Sequence, residues 1–371
     1  MKGLCGNNIV EIKPPTEDEA ICILVAAAGL SKTDAAPQHA GEIVALCNRL
    51  PLSLAIAGKL ISDLQLGADW EGVTDILGDE LRENSAASSE QRVINASLAA
   101  LGESKESDNI RALFKLMALI PEDSVAPLDV LAMMFDAVYN PELANEDQGR
   151  GGVRTGRHSR KLAKTSITMR KIPVLLIRKW LTVLQSRSLV LGTVDRAQLH
   201  DLVLDYAIAQ HTNAELRLAH EHVVNYFRSH RTVSPANLVG WSTSNRGDAT
   251  TAYVMNEVEH HISAAWNDEE SETATSTLLS WVTDNVFDCI TYATARVLGQ
   301  ERLLKSAESA ERASDWFRAA CMWDKIAYLR FIEGSQDETL IQFRINAMRA
   351  IQNLEIDPIT GKDASGVCLS V

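Results

Sequence analysis

Apolar residues return at helical spacing through most of this chain, so the sequence reads as a succession of amphipathic helices with little material for sheet. Ala and Leu are abundant and aromatic residues make up only 5%, a composition that favours helix. With 371 residues, 46% of them hydrophobic, the chain can bury two or three compact cores. The expected fold class is mainly α.

Local punctuation sets the first elements. Asn8-Ile9-Val10-Glu11-Ile12 reads as a short strand closed by Pro14-Pro15, and Thr16 with Glu19 three residues later forms a capping box, so a helix should begin near Glu17 and stop at Gly29. A second helix is expected from Gln38 to Arg49 and a third from Leu52 to Leu64, separated by Pro51, which lacks an amide hydrogen and clashes with a preceding helical turn.

The texture then changes. Helical patterns over Gln91–Leu101, Asn109–Ile120, Leu128–Val138 and Val174–Gln185 precede a β-rich run, Ser188–Val194, and a further helix after Leu199-His200-Asp201. Helices followed by a short hairpin resemble a winged helix. From Leu216 to Asp357 only helices are expected, including Ser306–Glu333 and Glu338–Leu354, in the manner of an α-solenoid. The tetratricopeptide pattern itself is not met, because Trp316, Trp323 and Pro358 are spaced beyond one repeat.

Three landmarks, in order, resemble the helical and winged-helix portions of the NB-ARC family of signalling ATPases. Arg49-Leu50-Pro51-Leu52-Ser53 is similar to the family's Gly-Leu-Pro-Leu-Ala, with Arg49 and Ser53 in place of the glycine and alanine. Ile120-Pro121-Glu122-Asp123 resembles the family's Phe-Pro-Glu-Asp, and Leu199-His200-Asp201, preceded by Arg187-Ser188-Leu189, resembles Met-His-Asp and its upstream run. The likeness spans about Asn8 to Gln210.

The resemblance implies Pro51 and Leu50 beside an adenine and His200 as the sensor of a diphosphate, with Asp201 holding the turn that presents it. The chemistry is reasonable, since an imidazole donates to a phosphate oxygen and a first-turn carboxylate suits a helix N-terminus. Without the family context, Pro51 is a helix break and His200-Asp201 a helix cap. The domains expected on this reading are 1–15 as the last strand of a P-loop domain, 16–86 as a helical subdomain, and 87–212 as a winged helix with a basic insert at 145–171. Helical repeats over 213–357 and a loose tail at 358–371 complete it.

No Gly-x-x-x-x-Gly-Lys-Ser/Thr phosphate loop is present: Gly58-Lys59 precedes Leu60, and Gly361-Lys362 precedes Asp363. A Walker B strand is absent as well. The chain is therefore expected to be a truncated ATPase, from a late-starting gene model or as a natural remnant, that does not hydrolyse ATP and binds ADP or ATP weakly or not at all. Its partners are expected to be proteins contacting the helical repeats.

Other classes are less well served. A net charge of −13 opposes nucleic acid and anionic membrane. The exception, Gly149–Lys171, is rich in Arg and Lys but has no aromatic residue for stacking and reads as a solvated insert. A winged helix that reads DNA remains an alternative, as does a protein-interaction scaffold with a vestigial nucleotide site. Within Val174–Gln185, however, only Arg178, Lys179 and Gln185 are suited to a DNA groove.

Six cysteines without a CxxC pair, no apolar run of membrane-spanning length and no secretory leader point to the cytoplasm. His220 and His222 diverge by about 200° on a helix and cannot share a metal. Adjacent His260 and His261 diverge too, and with Tyr253 are expected in the core. The C-terminal Cys368-Leu369-Ser370-Val371 lacks the aliphatic residue and polybasic lead of a prenylation box.

Overall fold

A computed structural model describes residues 13–30, 37–64, 70–83, 87–140, 172–230, 241, 248–266, 271–283, 289–334 and 338–354. The strand expected at Asn8–Ile12, the basic stretch Gly149–Lys171 and the tail after Pro358 lie outside them. The protein is mainly helical, with one small sheet among the described residues. It divides into two compact units, one comprising Met1–Ala132 and Ile172–Thr212 and the other Met133–Lys171 and Asn213–Val371.

In the first unit α1 (Glu17–Ala27) opens with the Thr16–Glu19 capping box, and the chain leaves it through Gly29 at φ +77°. It is followed by α2 (Ala40–Leu46), α3 (Pro51–Leu64), α4 (Glu71–Glu83), α5 (Ser89–Ala99) and α6 (Lys105–Leu116). α1 and α3 cross at Gly58, where an added Cβ would stand 2.5 Å from the Ala27 Cβ and 2.7 Å from the Leu24 carbonyl oxygen. Only glycine allows that approach. A second capping box, Ser88 with Gln91, starts α5, and the Ser104 hydroxyl starts α6 four residues before the helix expected at Asn109.

The chain continues through β1 (Ala126–Pro127), α7 (Leu128–Tyr139), α8 (Val174–Ser186), β2 (Leu191–Thr193), β3 (Arg196–Gln198) and α9 (Asp201–Ala209). The division between the two units falls within α7. The sheet is antiparallel in the order β1-β3-β2. Less of the Ser188–Val194 run is strand than its β-branched residues suggest. Ser188 turns at φ +57°, and Leu189 and Val190 enter the core before pairing begins at Leu191.

The second unit holds α10 (Asn213–Ser229), α11 (Ala249–Ala265), α12 (Glu272–Val282), α13 (Cys289–Arg312), α14 (Trp316–Ile332) and α15 (Glu338–Gln352). α10 packs on α11, α13 on α14 and α14 on α15, and α11 packs on α13 as well as on its chain neighbour α10. The single helix expected over Ser306–Glu333 is two: Ser314 adopts φ +57°, and the Asp315 carboxylate caps α14 through the Arg318 amide. Helical periodicity runs through this break because both helices bury the same kind of face. No helix among the described residues is long and apolar enough to cross a membrane.

Candidate functional site

The proline turn is built by the end of α2. Asn48 donates to the Ala45 carbonyl (3.0 Å) and Arg49 to that of Val44 (3.1 Å), a Schellman closure that places Asn48 at φ +52° and Arg49 at φ +57°. The backbone thus keeps, at Arg49, the left-handed conformation that a glycine would adopt without strain. Leu50, half-buried, donates to Cys47 and accepts from the Leu54 amide at 2.9 Å, and Pro51 is the exposed first residue of α3, where its missing N–H costs nothing.

Ser53, one turn into the helix, is fully buried and its hydroxyl has no hydrogen-bond partner among the described residues. Ser53→Ala is therefore expected to raise the stability of this unit by about 1 kcal/mol, since it removes a desolvated hydroxyl and leaves nothing unpaired. A urea melt of the variant checks this, and a lower midpoint would contradict it.

The histidine turn follows β3. Gly192, at φ +78°, lets the hairpin close, since a Cβ there would lie 2.4 Å from the Arg196 carbonyl oxygen. The chain then passes Leu199 into the core and reaches His200, the N-cap of α9, whose Nδ1 accepts the Leu202 amide at 3.3 Å. The Nδ1 atom thus satisfies one of the open amides at the start of α9. Asp201 is exposed in the first turn, where its charge meets the positive end of α9.

The two turns are linked through α5, on which both α3 and α9 pack. Arg187 is the central residue of the link. The residue is 7% exposed; its guanidinium donates to the Ser97 carbonyl near the end of α5 and sets Nε 3.0 Å from the Asp63 carboxylate on α3, an ionic contact more than an aligned hydrogen bond. Burial pushes the Arg187 pKa down, the Asp63 carboxylate counters it, and Arg111 adds to the depression. Arg111 donates to the neighbouring carbonyls of Leu98 (3.1 Å) and Gly102 (2.8 Å). Two arginines from elsewhere in the chain thus serve the carbonyls at the end of α5 and in the turn that follows it. The Tyr206 hydroxyl bonds to Asn95, which attaches α9 to the same helix, and burial pushes its pKa up to about 12.

The one cavity described beside the histidine turn is lined by Met117, Ile120, Pro121, Gln198, Leu199 and Leu204 and measures about 10 Å³. That is near the limit for one water. On α8, Arg178 pairs with Asp195 and Lys179 lies 2.6 Å from Glu106, so both cations have acidic partners.

In the second unit, His220 and His261 meet with their Nδ1 atoms 2.9 Å apart, and Tyr253 is 3.2 Å from Nε2 of His261. His220 is paired across two helices, a contact that spacing along either helix does not reveal. Burial pushes the His220 pKa down to about 3 and that of His261 well below the ordinary value, each lowered further by its histidine neighbours. Among the described residues no group of three or more His, Cys, Asp or Glu side chains could hold a metal ion, and none of Cys22, Cys47, Cys289 and Cys321 is in a disulfide.

No protein-family model matches the sequence, and comparison with curated proteins gives no match.

Proposed function

We propose that the chain is a regulatory, ADP-sensing part of an NB-ARC-type signalling ATPase, with 16–86 as its helical subdomain, 87–212 as a winged helix and 213–357 as a partner-binding helical array. The observation that carries this reading is the His200 turn: an N-cap histidine at the N-terminus of α9 whose Nδ1 accepts the Leu202 amide, which leaves Nε2 as the ring atom to meet a phosphate. The chain order helix, strand, helix, helix, strand, strand, with sheet order β1-β3-β2, agrees with a winged helix. The Arg187 link ties that domain to α3, the helix that Pro51 begins.

In this account Leu50 and Pro51 offer an apolar rest for adenine, His200 donates to the diphosphate, and Asp201 stabilises the turn. The chain binds ADP or ATP weakly, does not hydrolyse it, acts in the cytoplasm and addresses proteins rather than nucleic acid. The ion pairs that occupy Arg178 and Lys179 favour this over DNA reading. A scaffold with a vestigial nucleotide site is the remaining alternative.

Isothermal titration separates the two. ADP is expected to bind with measurable heat, AMP much more weakly, and His200→Ala is expected to weaken ADP about tenfold, the loss of one hydrogen bond to a charged group. Equal affinity in His200→Ala, or no heat from ADP at millimolar concentration, would leave the scaffold alternative standing.

A further inference from the structure

The last described helix, α15, turns an apolar stripe outward. Ile341, Ile345 and Met348 are 59%, 42% and 62% exposed, while Ala347 and Ala350 on the opposite face are buried, and Trp323 of α14 stacks on Phe343 at 5.8 Å. The stripe follows a spacing of four and then three residues, the a/d seam of a coiled coil, with Ile341 and Met348 at d and Ile345 at a.

The flanking charges identify what can cover it. Arg344 precedes the central a position and Arg349 follows the second d position, so they occupy g and e on opposite sides of the stripe. Both are exposed, and neither has an ionic partner among the described residues. A second copy of α15 packed in parallel would set Arg344 of one helix against Arg349 of the other. A helix with glutamates at e and g would pair both. Charged e and g positions select partners more than they add affinity, and repulsion excludes the wrong ones.

We propose that the outer face of α15 docks an amphipathic helix of a partner protein, apolar at a and d and acidic at e and g. This rests on the reading of 213–357 as a partner-binding array and names its surface and the chemistry it accepts.

The test uses the full chain and two synthetic helical peptides with the same leucine a/d seam, one with Glu and one with Lys at e and g, followed by fluorescence anisotropy. The Glu peptide is expected to bind at least tenfold more tightly than the Lys peptide. Ile345→Asp, at a solvent-facing position, should abolish binding without moving the thermal midpoint, and Arg344→Glu with Arg349→Glu should reverse the preference. Equal binding of both peptides, or a preference unchanged by charge reversal, overturns the proposal. So does a dimer seen in sedimentation and dissolved by Ile345→Asp, which would assign the face to a second copy. Binding that survives Ile345→Asp contradicts this face while keeping a partner-binding array, and binding of neither peptide contradicts both. Failure of ADP to bind touches neither.

Discussion

Acidification from pH 7.5 to pH 5 is expected to cost the second unit about 2 kcal/mol through His220, with His261 adding to the loss in the same direction. The two Nδ1 atoms 2.9 Å apart share one proton, donor to acceptor, which requires both rings to be neutral. Their folded pKa values are depressed, to about 3 for His220 and well below the ordinary value for His261, chiefly by burial. The unfolded chain therefore takes up protons first. Stability is fully present above about pH 6.5 and is lost as pH falls from there towards 3, at about 1.4 kcal/mol per pH unit through His220, and His261 acts in the same direction.

The charged and titratable groups that bear on the pair are His260 and, through His260 and Tyr253, Glu257. Thermal melts followed by tryptophan fluorescence over this range check the effect. The double variant His220→Leu/His261→Phe should flatten the pH dependence, and an unchanged slope in that variant would contradict the assignment.

The second large effect lies in the first unit. Asp63→Ala leaves the Arg187 guanidinium buried without its carboxylate, and the expected loss is about 3 kcal/mol, below the full penalty of a wholly buried pair because Asp63 keeps 29% of its side chain in solvent. Arg187→Met should cost less, since it removes the charge itself and leaves mainly the Ser97 carbonyl short of a donor. The double variant should be more stable than the additive sum by at least 1 kcal/mol. A denaturant cycle on the four proteins measures this. Additivity within error would mean that Arg187 and Asp63 contribute independently.

The elements that were legible in the sequence carry their signal within a few residues. Thr16 and Glu19 announce α1, Gly29 closes it and Pro51 starts α3, each through a backbone preference that operates locally. The break at Ser314 was not legible, because a left-handed serine leaves no compositional mark and the apolar period continues through it. The α1–α3 crossing was hidden for another reason: Gly58 sits in an ordinary helix, and only the approach of Ala27 shows why no side chain fits there.

At the candidate site, His200 and Pro51 stand in turns whose form follows from neighbouring residues. Arg187 and its acid Asp63 are 124 positions apart, and Arg187 meets the Ser97 carbonyl across 90. No spacing rule connects them. The run Arg187-Ser188-Leu189 carries a signal only as part of a pattern, and its physical role in closing α5 and joining α3 comes from the fold. The pairing of His220 with His261 is of the same kind: both residues stand out in sequence, but their meeting depends on how α10 packs on α11.

The central claim, that His200 senses a diphosphate, is tested most directly by imidazole resonances in a protein labelled with ¹⁵N-histidine. The resting ring should show the pattern of an Nε2–H tautomer, assigned by its disappearance in His200→Gln. Addition of ADP should shift the His200 Nε2 signal in a saturable way while AMP leaves it in place and the buried His261 is unmoved. An ADP titration that reaches millimolar concentration without moving the His200 resonance, or that moves the exposed histidines equally, would contradict the account.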